Sequence, residues 1–154
     1  MESITLRPAT KDDAEFIREN LCFLAETEGR PGAAKITAER IHEVLFGDNP
    51  PATCQIVMDA AQSIGHVWYF FTVPTFSGVP VLFLEDIVIR PEYRSRGAGA
   101  CVMELLTQIA RDAGCDRMFW HVVSNNDAAI RFYERLGASR VEGVETYWMS
   151  LDSV

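Results

Sequence analysis

The residues best suited to chemistry lie between Arg90 and Cys101. Pro91-Glu92-Tyr93 leaves an apolar segment, and Arg94-Ser95-Arg96-Gly97-Ala98-Gly99 leads directly into a stretch with helical periodicity. A helix N-terminus presents backbone N–H groups without intrahelical acceptors, and together with the dipole these attract anions. Glycine at 97 and 99 lets the backbone approach a pyrophosphate, because no Cβ intervenes. Two arginines add positive charge. Other nucleotide loops fit poorly: a dinucleotide fingerprint would need a small residue where Val102 stands, and a P-loop would need Gly-Lys-Ser/Thr. Without further context, the same pattern also suits an ordinary strand-to-helix turn with exposed arginines.

The elements that must position this turn are readable on both sides. Ile4 to Pro8 alternates as a first strand. Thr10 then caps a helix with Asp12 and Asp13 in its first turn and Phe16, Ile17, Leu21 and Leu24 on one face. Thr37 begins a short second helix to about Phe46. Strands are predicted over residues 52–60, 63–73 and 81–90, the last apolar at nearly every residue. A long helix runs from about Gly97 to Ala113, a strand from Arg117 to Val123, and a helix from Asp127 to Leu136 closed by Gly137. Two short strands follow, near Arg140 and over Glu145–Leu151. The order is β-α-α-β-β-β-α-β-α-β-β, an α/β (α+β) domain over residues 1–154 with helices on both faces of a mixed sheet. The Gly97 helix is expected to be a right-handed crossover between two parallel strands.

Composition narrows the function classes. The 154 residues, 48% hydrophobic and 23% charged, suit one soluble core. A net charge of −8 disfavours nucleic acid and suits a cationic substrate, although it also serves solubility. No apolar run reads as a membrane span. Met1-Glu2-Ser3 does not read as the start of a secretory leader, so a cytoplasmic location is expected. Cys22, Cys54, Cys101 and Cys115, like His42, His66 and His121, lack metal-ligand or redox spacing, so reduced thiols and no metal are expected.

The Arg94-x-x-Gly97-x-Gly99 turn resembles the acyl-CoA signature of the GNAT superfamily of N-acetyltransferases. Asn126-Asp127-Ala128-Ala129-Ile130-Arg131-Phe132-Tyr133 through Gly137 resembles that superfamily's later helix. The resemblance covers essentially the whole chain. It implies a mostly antiparallel sheet of about seven strands. Leu84-Glu85-Asp86-Ile87-Val88-Ile89, Tyr93-Arg94, Phe71-Thr72 and Leu24-Ala25-x-x-Glu28 resemble the diamine (spermidine/spermine and thialysine) acetyltransferase group.

The resemblance implies acetyl-CoA as co-substrate. The backbone of Ile87, Val88 and Ile89 would pair with the pantetheine arm, and Arg94, Ser95, Arg96, Gly97, Ala98, Gly99 and Ala100 would hold the pyrophosphate. Asn126 and Ala129 would flank the thiol end, with Tyr133 protonating the leaving thiolate. Tyr133 would equally serve as a core aromatic beside Phe132. Glu28, Glu85, Phe76 and Trp120 fall on the implied substrate side.

A free alkylamine is cationic near pH 7, so a base must take its proton. Glu85 is the candidate, on the expectation that partial burial raises its pKa; the alternative is a buried carboxylate paired with an arginine. Asp86 is expected on the opposite side of the pleat, as a structural residue. Glu26 and Glu28 could bind a second ammonium or simply solvate a helix end. The chain departs from the diamine pattern at Thr27 and at Val73-Pro74-Thr75, which leaves the amine open: a diamine, a lysine-like side chain or another primary amine.

No Ser-His-Asp or Cys-His set is evident, so direct transfer in a ternary complex is expected. Acetylation of a peptide N-terminus and a non-catalytic acetyl-CoA sensor are the competing readings. A homodimer follows from family analogy alone, with Tyr147-Trp148-Met149 suited either to its interface or to the core.

Overall fold

The computed structural model describes residues 4–151; Met1-Glu2-Ser3, read above for a leader, lie outside them. The chain divides after Val123 into two compact units.

In the first unit, β1 (Ile4–Pro8), β2 (Thr53–Asp59), β3 (Gln62–Thr72), β4 (Val81–Ile89) and β5 (Met118–Trp120) form one sheet in that spatial order. The first four strands are antiparallel. β4 and β5 are parallel, joined by the crossover helix α3 (Ala98–Asp112), as the sequence pattern requires. Helices α1 (Ala14–Thr27) and α2 (Ala38–Phe46) pack on one face, where Ile17, Ile41 and Leu45 meet Cys54, Ile56 and Trp68. Residues of the alternate parity, including Val57, Val67, Leu82 and Leu84, are buried on the α3 side.

Capping fixes where the helices begin. Thr37 accepts a hydrogen bond from the Arg40 N–H at the start of α2. A single 3₁₀ turn, Lys11–Asp13, precedes α1. Asp13 is nearly buried and accepts two hydrogen bonds from Arg7 of β1, at 2.8 and 2.7 Å, and one from the Thr10 N–H at 2.7 Å. The Arg7 hydrogen bond is the main reason its carboxyl lies below the usual range. One carboxylate thus ties the first strand to the first helix.

Gly65 on β3 lies opposite Ile89, and a Cβ there would stand 1.9 Å from the Val88 carbonyl oxygen. Only glycine permits the two backbones to approach this closely. The ladder is extended by the Arg90 N–H donating to the Ile64 carbonyl at 2.9 Å.

The second unit contains α4 (Asp127–Arg135), capped by Asn126, whose Oδ1 accepts from the Ala129 N–H at 3.1 Å. The two late strands expected near Arg140 and over Glu145–Leu151 are not formed. Among the described residues the sheet has five strands, not about seven. Among the described residues neither segment makes a ladder, and Tyr147, Trp148, Met149 and Leu151 are exposed. An apolar run suits a strand, but a strand needs a hydrogen-bonding neighbour. β5 is likewise shorter than the predicted Arg117–Val123, because its ladder to β4 ends at Trp120.

Two stability measurements follow. Gly65→Ala should cost about 1–3 kcal/mol or more in urea unfolding, the range for overpacking. Asp13→Asn should cost about 1.5–3 kcal/mol at pH 7. Because the folded pKa of Asp13 is depressed, that stabilisation is present above its unfolded value. It is lost as pH falls through the folded one, so the two proteins should converge below about pH 4.

Candidate active site

The site is organised by one extra residue in β4. In the β3–β4 ladder Phe83 pairs with Phe70, Leu84 with Tyr69, and Asp86 with Trp68, which leaves Glu85 without a partner at a bulge. Strict alternation would put Phe83 and Asp86 on opposite faces. With the bulge they share the α1/α2 face, since Trp68 belongs to the core beneath those helices. Where alternation alone would set Asp86 on the face of Leu84, the bulge sets it on the face of Phe83. Asp86 is largely withdrawn from water, and its pKa is pushed up to about 6, mainly by burial and then by the charges of Glu85 and Glu28.

The expectation for Glu85 is revised. Its side chain is exposed where partial burial was expected, and among the described residues it is not paired with an arginine. Glu28 caps the C-terminus of α1 and is half-buried. Among the described residues none of Glu28, Glu85 and Asp86 has an ion-pair partner. Three unneutralised carboxylates beside one another, one of them poorly hydrated, favour a cation strongly.

The bulge coincides with the end of the β4–β5 ladder. The last parallel pair is Leu84 with Trp120, after which β4 continues through Glu85–Ile89 without β5. The edge of Ile87, Val88 and Ile89 that would face β5 is thus open to an extended ligand.

The turn after β4 has the geometry of an anion cradle. Ser95 and Gly97 both adopt positive φ, 62° and 81°. For a serine this conformation is strained, a feature concentrated at binding sites. The first α3 hydrogen bond runs from the Cys101 N–H to the Gly97 carbonyl, leaving the N–H groups of Ala98, Gly99 and Ala100 without helical acceptors. The Arg96 side chain is exposed beside them.

Arg94 is placed differently from the expectation that it meets phosphate. Its Nε donates to the Ile89 carbonyl at 2.8 Å, and its guanidinium stacks 5.0 Å from the Phe23 ring centroid on α1. Arg90 acts alongside it, stacking on Phe16 at 4.4 Å and donating to Asn20 and Glu19. Together they pin α1 to the end of β4. This role leaves no motif in sequence, because both arginines reach helix positions about 70 residues away, as the separations of 70 and 71 residues show.

Asn126, Ala129 and Tyr133 lie in the second unit, where Asn126 caps α4 and the half-buried Tyr133 ring meets Phe132 edge-on at 5.1 Å. Phe76 is fully exposed on the β3–β4 loop, and Trp120 is half-buried at the end of β5. Among the described residues no group of three or more His, Cys, Asp and Glu side chains is arranged to hold a metal ion. No helix there is long and apolar enough to cross a membrane.

Comparison with known proteins agrees with this arrangement. The sequence matches the acetyltransferase (GNAT) family over residues 8–138. It is 30% identical to a thialysine N-epsilon-acetyltransferase of Sus scrofa, across 90% of this chain and 85% of that protein. It is 33% identical to the spermidine/spermine N(1)-acetyltransferase-like protein 1 of Homo sapiens, across 90% of this chain and 21% of that one. The fold matches the crystal structure of a possible acetyltransferase from Clostridium difficile 630 with a TM-score of 0.82, at 19% identity over 96% of this chain and 98% of the other. With β4 bulged and parting from β5 beside a glycine-bearing anion turn, and with the match spanning nearly the whole sequence, the chain belongs to the GNAT acetyltransferase family.

Proposed function

We propose that the protein transfers the acetyl group of acetyl-CoA to the primary amine of a small molecule, by direct attack in a ternary complex. The observation that carries this reading is the trio Glu28, Glu85 and Asp86, unneutralised and gathered where β4 parts from β5. The residues present fit acetyl-CoA on two counts. The open edge of Ile87–Ile89 suits the amides of the pantetheine arm. The cradle of Ser95 to Ala100, with Arg96, suits the pyrophosphate. Asn126 and Ala129 are proposed to flank the thiol end, on the strength of the family resemblance.

Acetyl-CoA supplies the thioester whose carbonyl carbon the amine attacks. The chain's own work is with charge and protons. The trio draws in the ammonium form of the amine. Asp86, with a pKa near 6, is ionised at neutral pH yet basic enough to accept the amine's proton, directly or through water. Glu85 serves beside it, its charge helping to raise that pKa. Tyr133 is proposed as the acid that protonates the departing thiolate, which the family resemblance supports.

We further infer that residues 1–154 act as one catalytic domain and as a homodimer, with the exposed Tyr147, Trp148 and Met149 as contact residues. A cytoplasmic location suits the four free thiols.

Free-thiol release from acetyl-CoA against a panel of amines tests the reading. If acetyl-CoA binds but no amine stimulates release, the chain is a binding module. With an accepted amine, kcat/KM should fall below about pH 6, and Asp86→Asn should remove that limb and lower the rate about 10²-fold or more. Tyr133→Phe should depress kcat without moving the limb. Stability gives an independent check. The folded pKa of Asp86 is raised, so its ionised form opposes folding above about pH 6. Asp86→Asn should therefore stabilise the protein there, by about 1–3 kcal/mol, with the gain fading between pH 6 and 4.

A further inference from the structure

We propose that the amine accepted here is an arylalkylamine: a single ammonium on a short arm that ends in an aromatic ring. The proposal rests on the acetyl-transfer reading above and names the substrate class of that site.

A row of rings stands at the mouth of the opening between β4 and β5. Phe83 precedes the last paired residue of β4, and His121 follows the last paired residue of β5. Their rings meet edge-on, 5.2 Å apart at 78°, and Phe83 is stacked on Phe70 at 5.0 Å and 21°. Phe70 and Phe83 are half-buried and His121 is exposed, so this is a wall and not closed core. It lies on the same face as Asp86, because Phe70 and Trp68 share the parity of β3. An amine nitrogen at Asp86 thus has the Phe83 ring on its own face of the sheet, three residues earlier on β4, with His121 against it. Rings already arranged in stacked and edge-on contacts extend favourably with one more ring.

The charge distribution opposes a second ammonium. The loop from Val73 to Pro80 contains no charged residue, and it exposes Val73 and Phe76. On β5, the position over the Phe119 ring is already taken by the Arg117 guanidinium, 5.9 Å from the centroid and ion-paired to Asp116. On the Val73–Pro80 loop the far end of a polyamine would find no carboxylate. An apolar body finds rings and a charge-free loop.

Thiol-release kinetics with phenethylamine, 1,5-diaminopentane and n-propylamine test this. Phenethylamine should exceed 1,5-diaminopentane in kcat/KM by about tenfold or more. In His121→Ala, whose side chain is exposed, and in Phe83→Ala, the phenethylamine-to-propylamine ratio should fall about tenfold or less, and at least about twofold. Thermal unfolding and acetyl-CoA titration would verify that each variant is folded. A diamine used as well as phenethylamine, or a ratio unchanged in both variants, overturns the substrate class while leaving acetyl transfer standing. Thiol release that none of the amines stimulates would instead sink acetyl transfer, and this inference with it.

Discussion

The candidate site depends on a single unpaired residue in β4. Inserting Glu85 between Leu84 and Asp86 breaks the two-residue repeat, so Asp86 turns under the end of α1 when it would otherwise face α3. The same insertion falls where β5 stops following β4. A bulge increases local twist and disrupts the ladder, so the two events belong together. One backbone irregularity thereby creates a gap for an extended ligand and delivers a poorly hydrated carboxylate to its mouth. The tight approach of β3 and β4 at Gly65 holds the strand firmly beyond the bulge.

The anion turn and the first helix are bound to each other through the arginines that flank the turn's entrance. Arg90 and Arg94 spend their guanidinium groups on Phe16, Phe23, Asn20 and the Ile89 carbonyl. Asn20 also approaches the wholly buried His66 at 3.3 Å, extending the connection into β3. Burial lowers the His66 pKa to about 3, so the imidazole is neutral in the working range. Helix α1 carries Glu28 at its end, so the groups proposed to meet the amine and the turn proposed to meet phosphate share one set of struts.

Much of this was legible in the sequence, and what was not has particular causes. Thr37 caps the helix it was expected to begin, since a cap is a local matter of one side chain and one N–H. The parallel β4–β5 pair followed from the length of the intervening helix. The bulge was only half legible: the adjacent polar pair Glu85-Asp86 breaks the two-residue repeat, but which of the two is unpaired shows only against the partner strand. The contact of Arg94 with Phe23 was not legible, because Phe23 is close to it only in space. The late strands were expected from local sequence, which is silent about whether a partner edge exists.

Gly65 carries an implication for how such a protein can diversify. A position that admits no side chain is frozen against drift, and it fixes the run of β4 that holds Asp86 and the ligand-facing edge. The Val73–Pro80 loop lies outside the ladder and exposes most of its surface, so it can change in length and composition without disturbing that run. The scaffold thus separates a constrained strand from a loop free to vary, so the loop can change while the frame for acetyl transfer stays as it is.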